Sequence, residues 1–263
     1  MKSVVEDIKK GSFKPVYLFY GEEAYLKQQY KNRLKNAVLP EGDTINLSIY
    51  SGKGIDVKEM IAQADTMPFF AEHRLLLIED SGFFKNANQQ LAEYIPSIPE
   101  ETIMLFVESE VDKRGKLYKA VSKKGSVVEF TAQNEQTLTR WIFGILKTEG
   151  KMITSGAMKQ FLEKTGTDME RIRQELEKLI CYCMEKESIT EEDVAVICSE
   201  QTENKIFDMI NAMAEKKQKK AMELYYDLLA LREPPMRILY LKSHASDVIC
   251  HPVGIFLHHL IGF

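Results

Sequence analysis

No stretch of eighteen apolar residues occurs in the 263-residue chain, so a membrane-spanning helix is not expected. Cysteine is scarce. Cys181, Cys183, Cys198 and Cys250 are the whole complement, three of them late in segments of helical pattern, which fits reduced core thiols in a cytosolic protein and leaves no disulfide framework. Basic excess is missing as well. Lys and Arg number 35 against 39 Asp and Glu, a formal net charge of -4, so any contact with DNA must be local. The opening MKSVVEDIKKGSFKPVYLFYGEE carries acidic residues before its first apolar run and no small-residue cleavage site, and it does not read as a signal peptide. Apolar poverty, the mark of a disordered chain, is absent too. With 44% hydrophobic and 28% charged residues the whole length is expected to fold, as one large domain or two to three small ones.

What is present falls into two halves. In the first, short apolar runs alternate with amphipathic stretches. Val16 to Tyr20 is an aromatic and β-branched run, and Gly21 opens a segment with Leu26, Tyr30 and Leu34 at four-residue spacing: strand, turn, helix. Asn46 to Tyr50 alternates like a strand, and Val57, Ile61 and Ala64 mark a helix. Leu75 to Ile78 is wholly apolar and ends in Glu79 and Asp80, the signature of a strand buried on both faces of a parallel sheet. Ile103 to Val107 and Val127 to Phe130 complete the set, separated by helices at Gln89 to Tyr94 and Lys116 to Ser122. The expectation is an open, mainly parallel α/β sheet. After about Gln133 the strands are expected to stop and a helical bundle to begin, with Thr190 capping a helix whose first turn holds Glu191, Glu192 and Asp193. Further helices are expected at Lys205 to Ala214, Lys219 to Leu231 and Met236 to Leu241, with boundaries near 133 to 137 and 200 to 204.

The first strand, turn and helix stand where a P-loop protein cradles phosphate. That chemistry needs glycine, four residues, then glycine, lysine and a hydroxyl, so that amides and an ammonium surround the phosphates. Here the turn reads Gly21-Glu22-Glu23-Ala24-Tyr25-Leu26, with no second glycine, no lysine and no hydroxyl. Glu22 and Glu23 would repel a phosphate at the helix N-terminus. The nucleotide site is degenerate, and Glu79 and Asp80, which resemble the acidic end of a Walker B strand, are expected to mark the sheet's edge and cap a turn.

Met67-Pro68-Phe69-Phe70 precedes that acidic strand. Adjacent side chains of a helix or a strand point apart, so Phe69 and Phe70 cannot both face one core. One reading is a plug closing the end of the α/β core; the other is an exposed hydrophobic wedge. Lys113, Arg114, Lys116 and Lys119, and separately Lys216, Lys217, Lys219 and Lys220, are either solvated helix faces or DNA-phosphate contacts.

Taken together, Val16 to Glu23, Met67-Pro68-Phe69-Phe70-Ala71 leading into Leu75 to Asp80, Asp112 to Lys119, and Glu175 to Leu179 resemble the delta-subunit family of bacterial DNA polymerase III, over about residues 13 to 241. The resemblance implies an AAA+-like domain at 1–135, a helical lid domain at 136–202 and a helical collar domain from 203. It implies a clamp-loader subunit that uses no ATP itself, needs no cofactor or metal, and has no catalytic residue of its own, within a DNA-directed DNA polymerase holoenzyme. Its implied partners are the sliding clamp (the beta subunit), the gamma/tau and delta prime loader subunits through the collar, and primed DNA, in the bacterial cytoplasm. No membrane and no small-molecule substrate enter. Met67, Pro68, Phe69 and Phe70 fall on the family's clamp-binding element. The competing classes are a divergent AAA+ ATPase, which a nucleotide titration with magnesium would reveal, and a stand-alone DNA-binding adaptor, which would hold DNA without clamp or partners.

After about Lys242 the sequence departs from that pattern. Pro252 and Gly254 interrupt any long helix, and the ending reads as truncated or frame-altered, leaving the collar incomplete. Cys250, His251, His258 and His259 lack the paired spacing of a zinc site.

Overall fold

The computed structural model describes residues 1–86, 88–198, 206, 209–213, 215–230, 234 and 236. The chain divides between Asn134 and Glu135 into two compact units.

The first unit holds β1 (Val16–Tyr20), β2 (Leu47–Ser51), β3 (Arg74–Glu79), β4 (Thr102–Glu108) and β5 (Ser126–Glu129) in one parallel sheet of order β2-β3-β4-β1-β5. Helices α1 (Lys2–Lys10), α2 (Ala24–Val38), α3 (Val57–Ala64), α4 (Gln89–Tyr94) and α5 (Lys116–Lys124) accompany it. Continuous apolar runs form the central strands because both faces are covered. Val16, Leu18 and Tyr20 pack with Leu76, Ile78, Met104 and Phe106 beneath Met60, Leu91, Leu117 and Val121 of α3, α4 and α5. The alternate residues Tyr17, Phe19, Leu75, Leu77, Ile103 and Leu105 pack beneath Val4 of α1 and Leu34 and Val38 of α2. The strand period of two thus divides one apolar run between two cores.

The expected last strand sits one residue earlier than Val127 to Phe130: the register with β1 ends at Glu129, while the Phe130 N–H still donates to the Tyr20 carbonyl and the Phe130 carbonyl accepts from the Glu23 N–H. Helix α1 carries no expectation from the sequence; only Val4 of it is fully buried. From β1 the chain crosses to the far edge at β2, whereas from β4 it crosses the other way to β5. The carboxyl ends of β1 and β4 therefore flank the crevice where an open α/β sheet places its ligand.

The second unit contains α6 (Glu135–Thr148), α7 (Ser155–Thr165), α8 (Met169–Tyr182), α9 (Glu191–Ile197) and α10 (Gln218–Ala230). Strands do not stop after Gln133, contrary to the sequence expectation: β6 (Met152–Ile153) and β7 (Ser188–Ile189) pair in parallel. Two-residue strands are too short to show alternation, and only the helices around them bring them together. Thr190 does cap α9, with its N–H and hydroxyl both donating to Asp193 Oδ2 at 2.9 Å. The boundary near 200 to 204, residues 237–241 and everything after Lys242, with Cys250, His251, His258 and His259, lie outside the described residues.

Candidate functional site

Met67, Pro68, Phe69 and Phe70 occupy the irregular segment between α3 and β3. Its rings leave the core altogether. Phe69 is 56% exposed and Phe70 95%, their ring centroids 4.6 Å apart in an edge-to-face arrangement, with Met67 also exposed beside them. Neither ring plugs the end of the sheet. Phe70 adopts a φ of 46°, a left-handed conformation that costs a bulky residue about 1–3 kcal/mol.

Two buried polar side chains from neighbouring elements hold this segment. Asn46, at the entry to β2, accepts the Phe69 N–H through Oδ1 at 2.7 Å and donates from Nδ2 to the Phe69 carbonyl at 3.0 Å. Arg74, the first residue of β3, donates from Nε to the Thr66 carbonyl at 3.1 Å and from Nη2 to the Met67 carbonyl at 3.4 Å. Neither residue stands out in the sequence. A single Asn before a strand reads as a turn residue, and an Arg opening an apolar run reads as a boundary charge.

At the opposite end of the sheet, two backbone donors of the turn after β1 are engaged within the chain. The Gly21 N–H donates to the Ser109 carbonyl and the Glu23 N–H to the Phe130 carbonyl. A Cβ at Gly21, where φ is 116°, would overlap the Phe130 carbonyl oxygen, so glycine serves chain packing at this turn. Glu22 is exposed and Glu23 forms the N-cap of α2.

The cations of this corner come from α2: Lys27, six residues after Gly21, stands where the phosphate-loop pattern places its lysine, contrary to the expectation that none is present, and Lys31 follows one turn later. Lys27 donates from Nζ to the Glu108 carbonyl at 3.1 Å. Burial pulls its ammonium below the ordinary value, and the charges of Asp80, Glu108 and Glu23 oppose that pull. Lys31 pairs with Glu79 at 2.7 Å. Glu79 thus neutralises a buried lysine, where the sequence suggested a turn cap; Asp80 does occupy the turn, at a φ of 48°, accepting from the Ser109 hydroxyl. The Glu108 carboxylate accepts from the Ser81 N–H and hydroxyl and from the Gly82 N–H. Burial still raises its pKa, outweighing those donors.

Of the eight positively charged candidates for DNA contact, the four at Lys113 to Lys119 divide into two kinds. Lys113 pairs with Glu129 at 2.9 Å and lies 5.4 Å from the centroid of the Tyr20 ring, and Arg114 pairs with Asp112 at 3.1 Å. Lys116 and Lys119 lie exposed on α5. Among the described residues no three His, Cys, Asp or Glu side chains gather as a metal-ligand set, and no helix is long and apolar enough to cross a membrane.

Residues 17–131 match the family model for DNA polymerase III, delta subunit, and residues 203–245 match that for DNA polymerase III delta subunit, C-terminal domain. The chain is 30% identical over 258 residues to DNA polymerase III subunit delta of Bacillus subtilis (strain 168), spanning 94% of this chain and 74% of that one. It is 21% identical over 241 residues to the probable DNA polymerase III subunit delta of Aquifex aeolicus (strain VF5), spanning 87% and 67%. Among solved structures, the Bacillus subtilis DNA clamp loader delta protein superposes with a TM-score of 0.68 at 29% identity, covering 94% of this chain and 77% of that one.

Proposed function

The chain belongs to the delta-subunit family of DNA polymerase III, and from that membership we propose that it binds a sliding clamp through Phe69 and Phe70 and opens its ring for loading on primed DNA. It is a clamp-loader subunit of DNA replication whose first unit has the AAA+-like α/β fold of that family.

The observation that carries the ring-opening reading is the presentation of two adjacent phenyl rings in water on a segment held by Asn46 and Arg74. Each ring can bury about 150–250 Å² in a partner's pocket. Contact alone does not open a ring. A protein shifts a closed-to-open equilibrium only by the difference between its affinities for the two forms. The wedge supplies the grip, and the sheet with its two packed cores is stiff enough to favour a clamp shape incompatible with closure. Energy for release comes from ATP hydrolysis by other loader subunits, a division supported by the turn after β1, where the Gly21 and Glu23 amides already serve carbonyls of this chain.

Replacing Phe69 and Phe70 together with alanine should weaken binding of a purified sliding clamp by about 30- to 1000-fold, the loss of about 2–4 kcal/mol typical of a hot-spot pair. Unchanged affinity in that double variant would refute the assignment.

A further inference from the structure

From the geometry of the segment between α3 and β3 we infer that Asn46 is a positioning residue for clamp binding, because its carboxamide fixes the peptide of Phe69 and so aims both phenyl rings. The inference rests on the wedge reading above and adds a residue that touches no partner. Among the described residues, no backbone-to-backbone hydrogen bond is donated or accepted by Met67 through Glu72. Side chains from outside the segment therefore set its path. Asn46 is 2% exposed and reaches 23 residues along the chain to hold both polar groups of one residue, the Phe69 N–H and carbonyl.

The amide itself is held in place. Asp43 accepts Asn46 Nδ2 at 2.8 Å and the backbone N–H groups of Ile45 and Asn46 at 3.0 Å each. These donors, those of Asn46 foremost, keep the Asp43 carboxyl below the usual carboxylate range. A relay from Asp43 through Asn46 thus ends on Phe69, directly before the left-handed Phe70. Left to itself a Phe at that φ relaxes to a right-handed or extended conformation, and the Phe70 ring swings away from Phe69. Holding the segment before the partner arrives removes an ordering cost that would otherwise be subtracted from affinity.

The chemistry singles out a carboxamide. Only a side chain with an acceptor and a donor on the same planar group can hold an N–H and a C=O together; a carboxylate of the same shape keeps the first contact and repels the second. Asn46→Asp is therefore the informative change. Binding of purified sliding clamp, measured by calorimetry on the full chain well below its melting temperature, should fall about tenfold in Asn46→Asp and further in Asn46→Ala. The lost affinity should be entropic. In the Phe69→Ala/Phe70→Ala background the Asn46 changes should add nothing, since no rings remain to aim, whereas a merely structural role would leave the clamp affinity of the folded protein unchanged in either background. Hydrogen exchange on the unaltered protein gives an arm independent of folding: the Phe69 amide should be protected in the free chain. Exchange of that amide at its intrinsic rate, or clamp affinity within twofold for Asn46→Asp while the double Phe variant loses binding, would overturn the positioning role and leave the wedge reading standing. Full clamp binding by the double Phe variant would remove both.

Discussion

Lys31 on α2 closes onto Glu79 at the end of β3 with Nζ 2.7 Å from Oε1, the lysine side chain 10% and the glutamate side chain 27% exposed. An ion pair of this chain thus sits where the acidic strand of an NTPase would serve a metal and its nucleotide. Removing one partner strands the other in a poorly hydrated corner. Lys31→Met should lower unfolding stability by about 1–2 kcal/mol in urea titrations, a value held down by the partial exposure of Glu79. Adding Glu79→Gln should restore part of the loss, and strict additivity of the two changes would refute direct coupling.

Gly21 and Gly42 separate two costs of adding a methyl group. Both have positive φ, 116° and 84°, but a Cβ at Gly21 would overlap the Phe130 carbonyl while one at Gly42 meets nothing within 4 Å. Gly42→Ala should cost about 1 kcal/mol from conformation alone. Gly21→Ala should cost upward of about 3 kcal/mol, because β1 or the Phe130 backbone must move as well. Equal melting temperatures for the two variants would contradict this packing.

Phe70 trades stability for exposure. At a φ of 46° Asn is tolerated better than Phe, and the ring is 95% exposed, so its removal opens no cavity. Phe70→Asn should raise stability by about 0.5–1 kcal/mol in thermal melts while weakening clamp binding. A fall in stability would mean that the ring has a folded-state role the exposed geometry does not suggest.

Asp193 sets an acid limit on the second unit. Lys186 donates to Oδ1 at 2.5 Å and Thr190 donates to Oδ2, and together they hold the carboxyl down to about 2 from an ordinary 3.8. A depressed folded-state value stabilises the fold above the unfolded pKa, and that contribution is lost as pH falls through the folded one. The loss should run from about pH 4 to pH 2 and amount to about 1–2 kcal/mol, since Lys186 is half in water. Asp193→Asn should be less stable at pH 7 and show a flatter decline over that acid range; an unchanged slope would exclude this group.

Of these features the sheet was the most legible in advance. Leu75 to Ile78, Val16 to Tyr20 and Ile103 to Val107 are apolar without a break, and only burial on both faces accommodates such runs. Lys27, six residues after Gly21, is legible by spacing as the lysine position of a phosphate loop, whereas Lys31 was not legible as a site residue, because two lysines four apart on a helix look like a solvated face until the strand ends at Glu79 and Glu108 are placed beside them. Asn46 escaped for a similar reason. Its partner is 23 residues away, and no local pattern marks a carboxamide that will meet one distant peptide.

By itself the sequence determined the alternation that builds a parallel sheet, the lack of a phosphate-binding loop and the presence of two adjacent phenylalanines before an acidic strand. These follow from composition and spacing over a few residues, where side-chain chemistry acts locally. Only the tertiary structure decided that both rings face water and that lysines of this chain meet the acids of the empty-looking corner. Both outcomes depend on contacts between segments remote in sequence, whose distances the fold alone sets.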